Sequence, residues 1–106
     1  MTRKPESRLQ LRIQKALRDK FPDIYIRKIH VSEFSQAGMP DLICCYRGRF
    51  VAMEVKMAGE KLSALQNIEG VAVVNAGGHW FIVTSVEEAI SVMREVSSDV
   101  DREAIR

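Results

Sequence analysis

The stretch that most limits what this chain can fold into runs from Gly38 to Lys56: Gly-Met-Pro-Asp-Leu-Ile-Cys-Cys-Tyr-Arg-Gly-Arg-Phe-Val-Ala-Met-Glu-Val-Lys. Two β-rich runs, Asp41–Tyr46 and Arg49–Lys56, flank Arg47-Gly48. This is the sequence form of a β-hairpin, with glycine supplying the positive φ of a tight turn. A two-residue loop pairs Tyr46 with Arg49 and Cys45 with Phe50, and the register runs back until Asp41 faces Glu54. Directly opposed residues share a face with Cβ atoms about 5 Å apart, where like charges are destabilising. Lys56, two residues past Glu54, shares that face. A divalent cation between the carboxylates reverses the sign of the argument, because hard cations such as Mg²⁺ take oxygen ligands at about 2.0–2.1 Å.

A length of 106 residues suits one domain spanning 1–106, and 46% hydrophobic residues can build a core. No segment approaches the ~18–20 consecutive apolar residues of a membrane span. The N-terminal stretch has charge without an apolar run behind it, so it does not read as a secretory signal. Cys44 and Cys45 are adjacent on a predicted strand and point to opposite faces, which suits neither a mutual disulfide nor a metal site. They read as small core residues in a reducing cytosol. The net charge of +2 is unevenly placed: residues 1–30 hold nine Lys/Arg against three acids, and residues 87–106 hold six acids against three basic residues. The basic segment reads either as a surface that tracks phosphates or as an ordinary solvated helix face.

Lys4-Pro5-Glu6 has the form of a helix start, and Leu9, Ile13, Ala16, Leu17 and Phe21 then repeat at helical spacing until Phe21-Pro22-Asp23 ends the helix. Glu6, one turn before Leu9, suits the helix dipole. Ile24–Val31 reads as a first strand, with Lys28 and His30 either projecting toward a site or forming the wet end of an edge strand. A polar loop, Ser32–Gly38, leads to Pro40-Asp41. Asp41 stands at a strand beginning and Glu54 and Lys56 at a strand end, and in an antiparallel hairpin these are the same end of the sheet. After the turn Ala58–Lys61, Ser63 and Gln66 fit a capping box opening a helix that runs to Asn75 and is capped by Gly77. Gly70 inside it predicts close packing against a neighbour. His79–Thr84 is a strand, Ser85 with Glu88 is a second capping box, and Ala89, Ile90, Met93 and Val96 give the last helix its apolar face. The core spans about 5–96, and 97–106 is expected to fray. The predicted architecture is α/β (mixed α+β) in the order αβββαβα. A helical crossover makes the third and fourth strands parallel within a mixed four-stranded sheet flanked by helices.

Gly38-Met39-Pro40-Asp41, Glu54-Val55-Lys56 and Gln66 in Leu62–Gln66, taken in this order, resemble the PD-(D/E)xK nuclease superfamily, and within it the small stand-alone form of the VRR-NUC (virus-type replication-repair nuclease) domain. The resemblance covers roughly Glu6 to Val96. It implies a restriction-endonuclease-like core and a metal-dependent DNA endonuclease. Asp41 and Glu54, with the backbone carbonyl of Val55, would hold Mg²⁺ or Mn²⁺. Lys56 would orient or deprotonate the attacking water, or stabilise charge on the phosphoryl group. Gln66 would lie beside the active site as well as serving its cap, and Glu6 would be an accessory ligand. The implied products are a 5′-phosphate and a 3′-hydroxyl. Lys28, Arg8 and Arg12 are the candidate DNA contacts. The resemblance further implies a homodimer that resolves branched DNA such as four-way junctions in the cytoplasm of a bacterial or phage-infected cell. Two rivals stand beside this reading: a non-catalytic nucleic-acid-binding module of the same fold, and a structural α/β domain whose basic segment serves only solubility. The first does not need the carboxylate pair; the second predicts neither DNA affinity nor thermal stabilisation by metal.

Overall fold

A computed structural model describes residues 4–30 and 37–105, with side chains up to 98. The elements follow the expected order: α1 (Pro5–Lys20), β1 (Tyr25–Lys28), β2 (Leu42–Tyr46), β3 (Arg49–Val55), α2 (Ala64–Asn75), β4 (His79–Val83) and α3 (Val86–Ile105). The sheet runs β1-β2-β3-β4, antiparallel at the first two junctions and parallel between β3 and β4.

The hairpin turn sets the register. Arg47 (φ 50°) and Gly48 (φ 84°) are both left-handed, the type I′ geometry whose twist matches the flanking strands. Arginine thus shares the strained conformation with glycine. Tyr46 pairs with Arg49, Cys45 with Phe50 and Leu42 with Met53, as predicted. Inward residues Ile26, Leu42, Cys44, Val51, Met53, Val55 and Val83 meet Leu9, Ile13 and Leu17 of α1 and Ala89, Met93 and Val96 of α3 in one buried cluster. Burial pushes the Cys44 thiol up to about 12, so it stays a protonated core residue. Both cysteines are free.

Two boundaries differ from expectation. The first strand is shorter than Ile24–Val31: it begins at Tyr25 because Asp23 turns the chain at φ 66°, and its ladder stops at Lys28 apart from one further bond from Ile29 N–H to the Asp41 carbonyl (2.9 Å). Val31, and most of the predicted Ser32–Gly38 loop, lie outside the described residues. The last helix does not stop near 96; it continues through Ile105, so 97–105 is helical rather than a frayed tail. Part of the basic segment also closes the sheet edge, where Arg18 (3.2 Å) and Arg27 (2.8 Å) both donate to the Ile26 carbonyl. No helix among the described residues is long and apolar enough to cross a membrane.

The helix ends obey local rules. Ser63 and Gln66 form the reciprocal capping box. Gly77 N–H donates to the Val74 carbonyl and Gly78 N–H to the Val73 carbonyl (both 3.0 Å), a Schellman ending with Gly77 at φ 93°. At α3, Glu88 N–H donates to Ser85 Oγ (3.1 Å), but the Glu88 carboxylate reaches one residue further back than predicted, to the N–H and hydroxyl of Thr84.

Gly70 is the one buried residue of α2, and a Cβ there would lie 2.1 Å from Trp80 Cε2. Gly70→Ala should therefore destabilise the protein. The helix-propensity gain of about 1 kcal/mol is outweighed by overpacking of about 1–3 kcal/mol, because α2 must lift off the indole. Denaturant unfolding should show a net loss; a gain in stability would contradict this account.

Candidate active site

The site is built at the end of the sheet where β2 begins and β3 ends. Continuing the β2–β3 register one step beyond Leu42 and Met53 sets Asp41 opposite Glu54. Asp41 is fixed from two sides: its carbonyl accepts from Ile29 N–H, and its Oδ2 accepts from Val55 N–H at 2.7 Å. Within one strand residue N–H and C=O point to the same edge, so the Val55 carbonyl also faces the Asp41 side. Lys56 N–H turns the other way, to the Val83 carbonyl at 3.0 Å.

Glu54 is 0% exposed, and its carboxylate oxygens find no partner beyond Asp41 beside them. Its pKa is pushed up to about 7, first by burial and then by the neighbouring Asp41 charge, against which the Lys56 ammonium acts. Asp41 is also raised by burial, but the Val55 N–H and the charges of Lys56 and Lys28 favour its ionised form. Asp41 is therefore the firmer anion of the two, and Glu54 the one that more readily holds a proton. Two carboxylates facing each other out of water, one of them short of donors, are the arrangement that a bound cation relieves.

Glu6 projects from the first turn of α1 into the same field. Its pKa is raised by burial and then by the charges of Asp41 and Glu60, with Lys56 opposing and a side-chain hydrogen bond to Glu60. Glu60 is a neighbour that the sequence does not distinguish from the rest of its turn. Its N–H donates to the Met57 carbonyl (3.1 Å) and its Oε1 accepts from Met57 N–H (3.0 Å), which folds the turn back onto Glu6. Its only sequence signal was an acid just beyond the Glu-x-Lys strand. Gln66 has both capping bonds, Oε1 from Ser63 N–H (2.9 Å) and N–H to Ser63 Oγ (3.1 Å). What it has left to offer a substrate is its amide N–H₂. Gly38 seats against this helix start: a Cβ there would lie 2.5 Å from the Leu65 carbonyl oxygen and 3.0 Å from Gln66 N, and Gly38 holds φ +87°. The glycine before Pro-Asp and the glutamine after the strand are thus adjacent in space.

Of the basic candidates, Lys28 is the one whose charge acts on Asp41. It lines a pocket of about 450 Å³ with Ser7, Leu11, Gln14 and His30. Arg12 instead lines a groove with Lys15, Arg18, Asp19 and Val86, between α1 and the start of α3. Arg8 is exposed on α1. Both lie off the buried Leu9–Ile13–Leu17 stripe, so the fold does not bring Arg12 to the carboxylates.

Among the described residues no group of three or more His, Cys, Asp and Glu side chains forms a metal cage. The Asp41–Glu54 pair nonetheless suits Mg²⁺, which keeps several waters and is held by one or two carboxylates with substrate phosphates completing the shell. The orphaned Glu54 oxygens and the Val55 carbonyl are the fitting donors.

A mixed β-sheet with an acid pair and a lysine at one end is the framework of a nuclease-type α/β domain. No family model matches the chain, and no curated protein does. Among solved structures, one described as a VRR_NUC domain superposes with a TM-score of 0.61 at 26% sequence identity, covering 78% of this chain and 91% of that one. The chain has the VRR-NUC fold, as its motifs suggested.

The raised Glu54 pKa sets a pH dependence. Glu54 binds its proton more tightly folded (about 7) than at its ordinary 4.5, so metal-free stability is greatest below 4.5 for this group and falls as pH rises toward 7. The loss amounts to about 3 kcal/mol at most. Unfolding in EDTA between pH 4.5 and 7.5 should show the decline, and Glu54→Gln should remove most of it; a flat wild-type profile would contradict the assignment.

Proposed function

We propose that this domain is a metal-dependent DNA endonuclease that hydrolyses phosphodiester bonds, acting as a homodimer on branched DNA. The observation that carries the reading is the fully buried Glu54 carboxylate facing Asp41 at the sheet end, with no partner beyond it. With both groups ionised such a pair costs stability, and a bound cation offsets that cost. The fold likeness to a VRR_NUC domain supports nuclease chemistry and DNA as the partner.

Asp41, Glu54 and the Val55 carbonyl would hold Mg²⁺, for which Mn²⁺ can substitute. The ion supplies charge neutralisation on the phosphoryl oxygens and acidifies a water. Asp41 contributes a fixed anion, anchored by Val55 N–H. Glu54 would be held in its ionised form by the cation, against the burial and the Asp41 charge that otherwise favour its proton. Lys56, whose charge bears on Asp41, Glu54 and Glu6 alike, orients the attacking water or balances negative charge on phosphorus. Gln66 offers amide donors to a phosphate or water, and Glu6 acts at the rim as an accessory acid. Lys28, beside Asp41, steers a neighbouring phosphate. Recognition rests on backbone charge and shape.

The test is incubation of the purified chain with a labelled four-way junction and a matched linear duplex in Mg²⁺, Mn²⁺ or EDTA. Metal-dependent cutting, favouring the junction, is expected. Asp41→Ala and Lys56→Ala should each reduce it by at least about a hundredfold, the scale of removing one electrostatic contact to a transition state. Binding of both substrates with no cutting would instead make the chain a non-catalytic nucleic-acid-binding module.

A further inference from the structure

Side chains alternate along β1: Ile26 points into the core, so Tyr25 and Arg27 stand on the opposite face of the sheet. Strand pairing carries that face across the sheet in rows. One row is Tyr25, Cys45 and Phe50, and the next is Arg27, Ile43, Ala52 and Trp80. The row after that, at the sheet end, holds Asp41 and Glu54. Tyr25 and the carboxylate pair therefore share one face. Helix α2 rests on its β3–β4 half, where Gly70 meets Trp80. The surface beside it is open: Tyr25 is 48% and Phe50 42% exposed, Arg27 is exposed, and Ile43 and Cys45 are half-buried.

We propose that this strip binds an unpaired stretch of a DNA strand, with a base stacked on Tyr25 and the phosphates leading on to Asp41 and Glu54. The inference rests on the nuclease reading above and names the form of DNA that the site takes. The stacking surface is prepared in advance. The Arg27 guanidinium lies 4.3 Å from the centre of the Tyr25 ring and is tied down by its hydrogen bond to the Ile26 carbonyl (2.8 Å). An aromatic ring with a guanidinium plane against it is the kind of surface on which unstacked bases lie. The exposure of Tyr25 shows that the guanidinium leaves ring surface free for one.

Charge and composition select the same occupant. The acids on these three rows are Asp41 and Glu54 themselves, so a strand approaching from Tyr25 meets no other carboxylate on the way. A duplex keeps its base faces covered and presents phosphates, for which Tyr25, Ile43, Cys45 and Phe50 have no charge to offer. An unpaired strand presents base faces, which match them. The distance also fits. Asp41 stands four residues before Cys45, about 13 Å along the strand. That is about four nucleotides at the stacked spacing of 3.4 Å, and fewer where the strand is extended. A peptide adding to the edge of β1 is disfavoured, because Arg18 and Arg27 already occupy the Ile26 carbonyl there.

Fluorescence anisotropy in EDTA tests the strip apart from catalysis. The wild-type chain should bind labelled oligothymidylate. Tyr25→Ala should weaken that binding about five- to a hundredfold, the worth of one base–aromatic stack, and should weaken binding of a blunt duplex less. Tyr25→Phe keeps the ring and should retain the wild-type affinity. Photocross-linking of the wild type to an oligonucleotide carrying 5-iodouracil should label the peptide that contains Tyr25. No binding of oligothymidylate, equal binding by wild type and Tyr25→Ala, a loss as large on the duplex, or cross-links confined to other peptides would each overturn the proposal. In Mg²⁺, Tyr25→Ala should slow cutting of a branch with an unpaired strand more than cutting of a fully paired duplex. A chain that binds in this way and cuts nothing would overturn the nuclease reading while keeping the strip.

Discussion

The pairing of Glu54 with Asp41 is the constraint on which the rest of the molecule depends, and it is set at the far end of the hairpin. Because Arg47 and Gly48 both adopt positive φ, the loop closes in two residues and the count back along each strand is fixed. A slip of one residue would turn Glu54 into the apolar layer formed by Val51, Met53 and Val55 and would throw those residues out of it. The core under α1 and α3 thus holds the two acids in place: shifting the carboxylates means unpacking the hydrophobic face. β3 is buried from Val51 through Val55, so the Glu54 carboxylate is withdrawn from solvent along with its apolar neighbours.

That burial is unfavourable for the empty domain, and the raised pKa is the measure of it. The compensation comes from residues that do no chemistry. Ile13, Leu17, Ile26, Leu42 and Met93 are fully enclosed on the opposite side of the sheet. At about 1.5–3 kcal/mol for each buried large side chain, such a layer can carry one badly solvated carboxylate. Departures from ideal packing and pairing gather at functional sites in this manner, with the remainder of the fold supplying the stability.

The helix α2 links the site to the surface. Its beginning is a reciprocal capping box that packs on Gly38, its middle rests Gly70 on Trp80, and its end is a glycine-terminated Schellman turn. Each feature was legible one residue at a time: Ser63 with Gln66, a glycine inside a helix, a glycine after it. Which side of α2 would be covered was not legible, because the helix is apolar in nearly every direction and carries no polar face to announce solvent.

The sequence by itself determined the element order, the two-residue turn, the strand register, most helix boundaries and, through that register, the juxtaposition of Asp41, Glu54 and Lys56. These follow from rules acting within a turn or between adjacent strands, where a few side chains and the backbone dihedrals decide the outcome. The tertiary structure alone decided that Glu60 folds back on Glu6, that Lys28 and not Arg12 brings its charge to bear on Asp41, that α3 extends to Ile105 and that α2 leaves its apolar face open. Those outcomes depend on how elements distant in sequence stack and on which surfaces the stacking leaves over. No local pattern encodes that, because one stretch of residues does not record the shape of what packs against it.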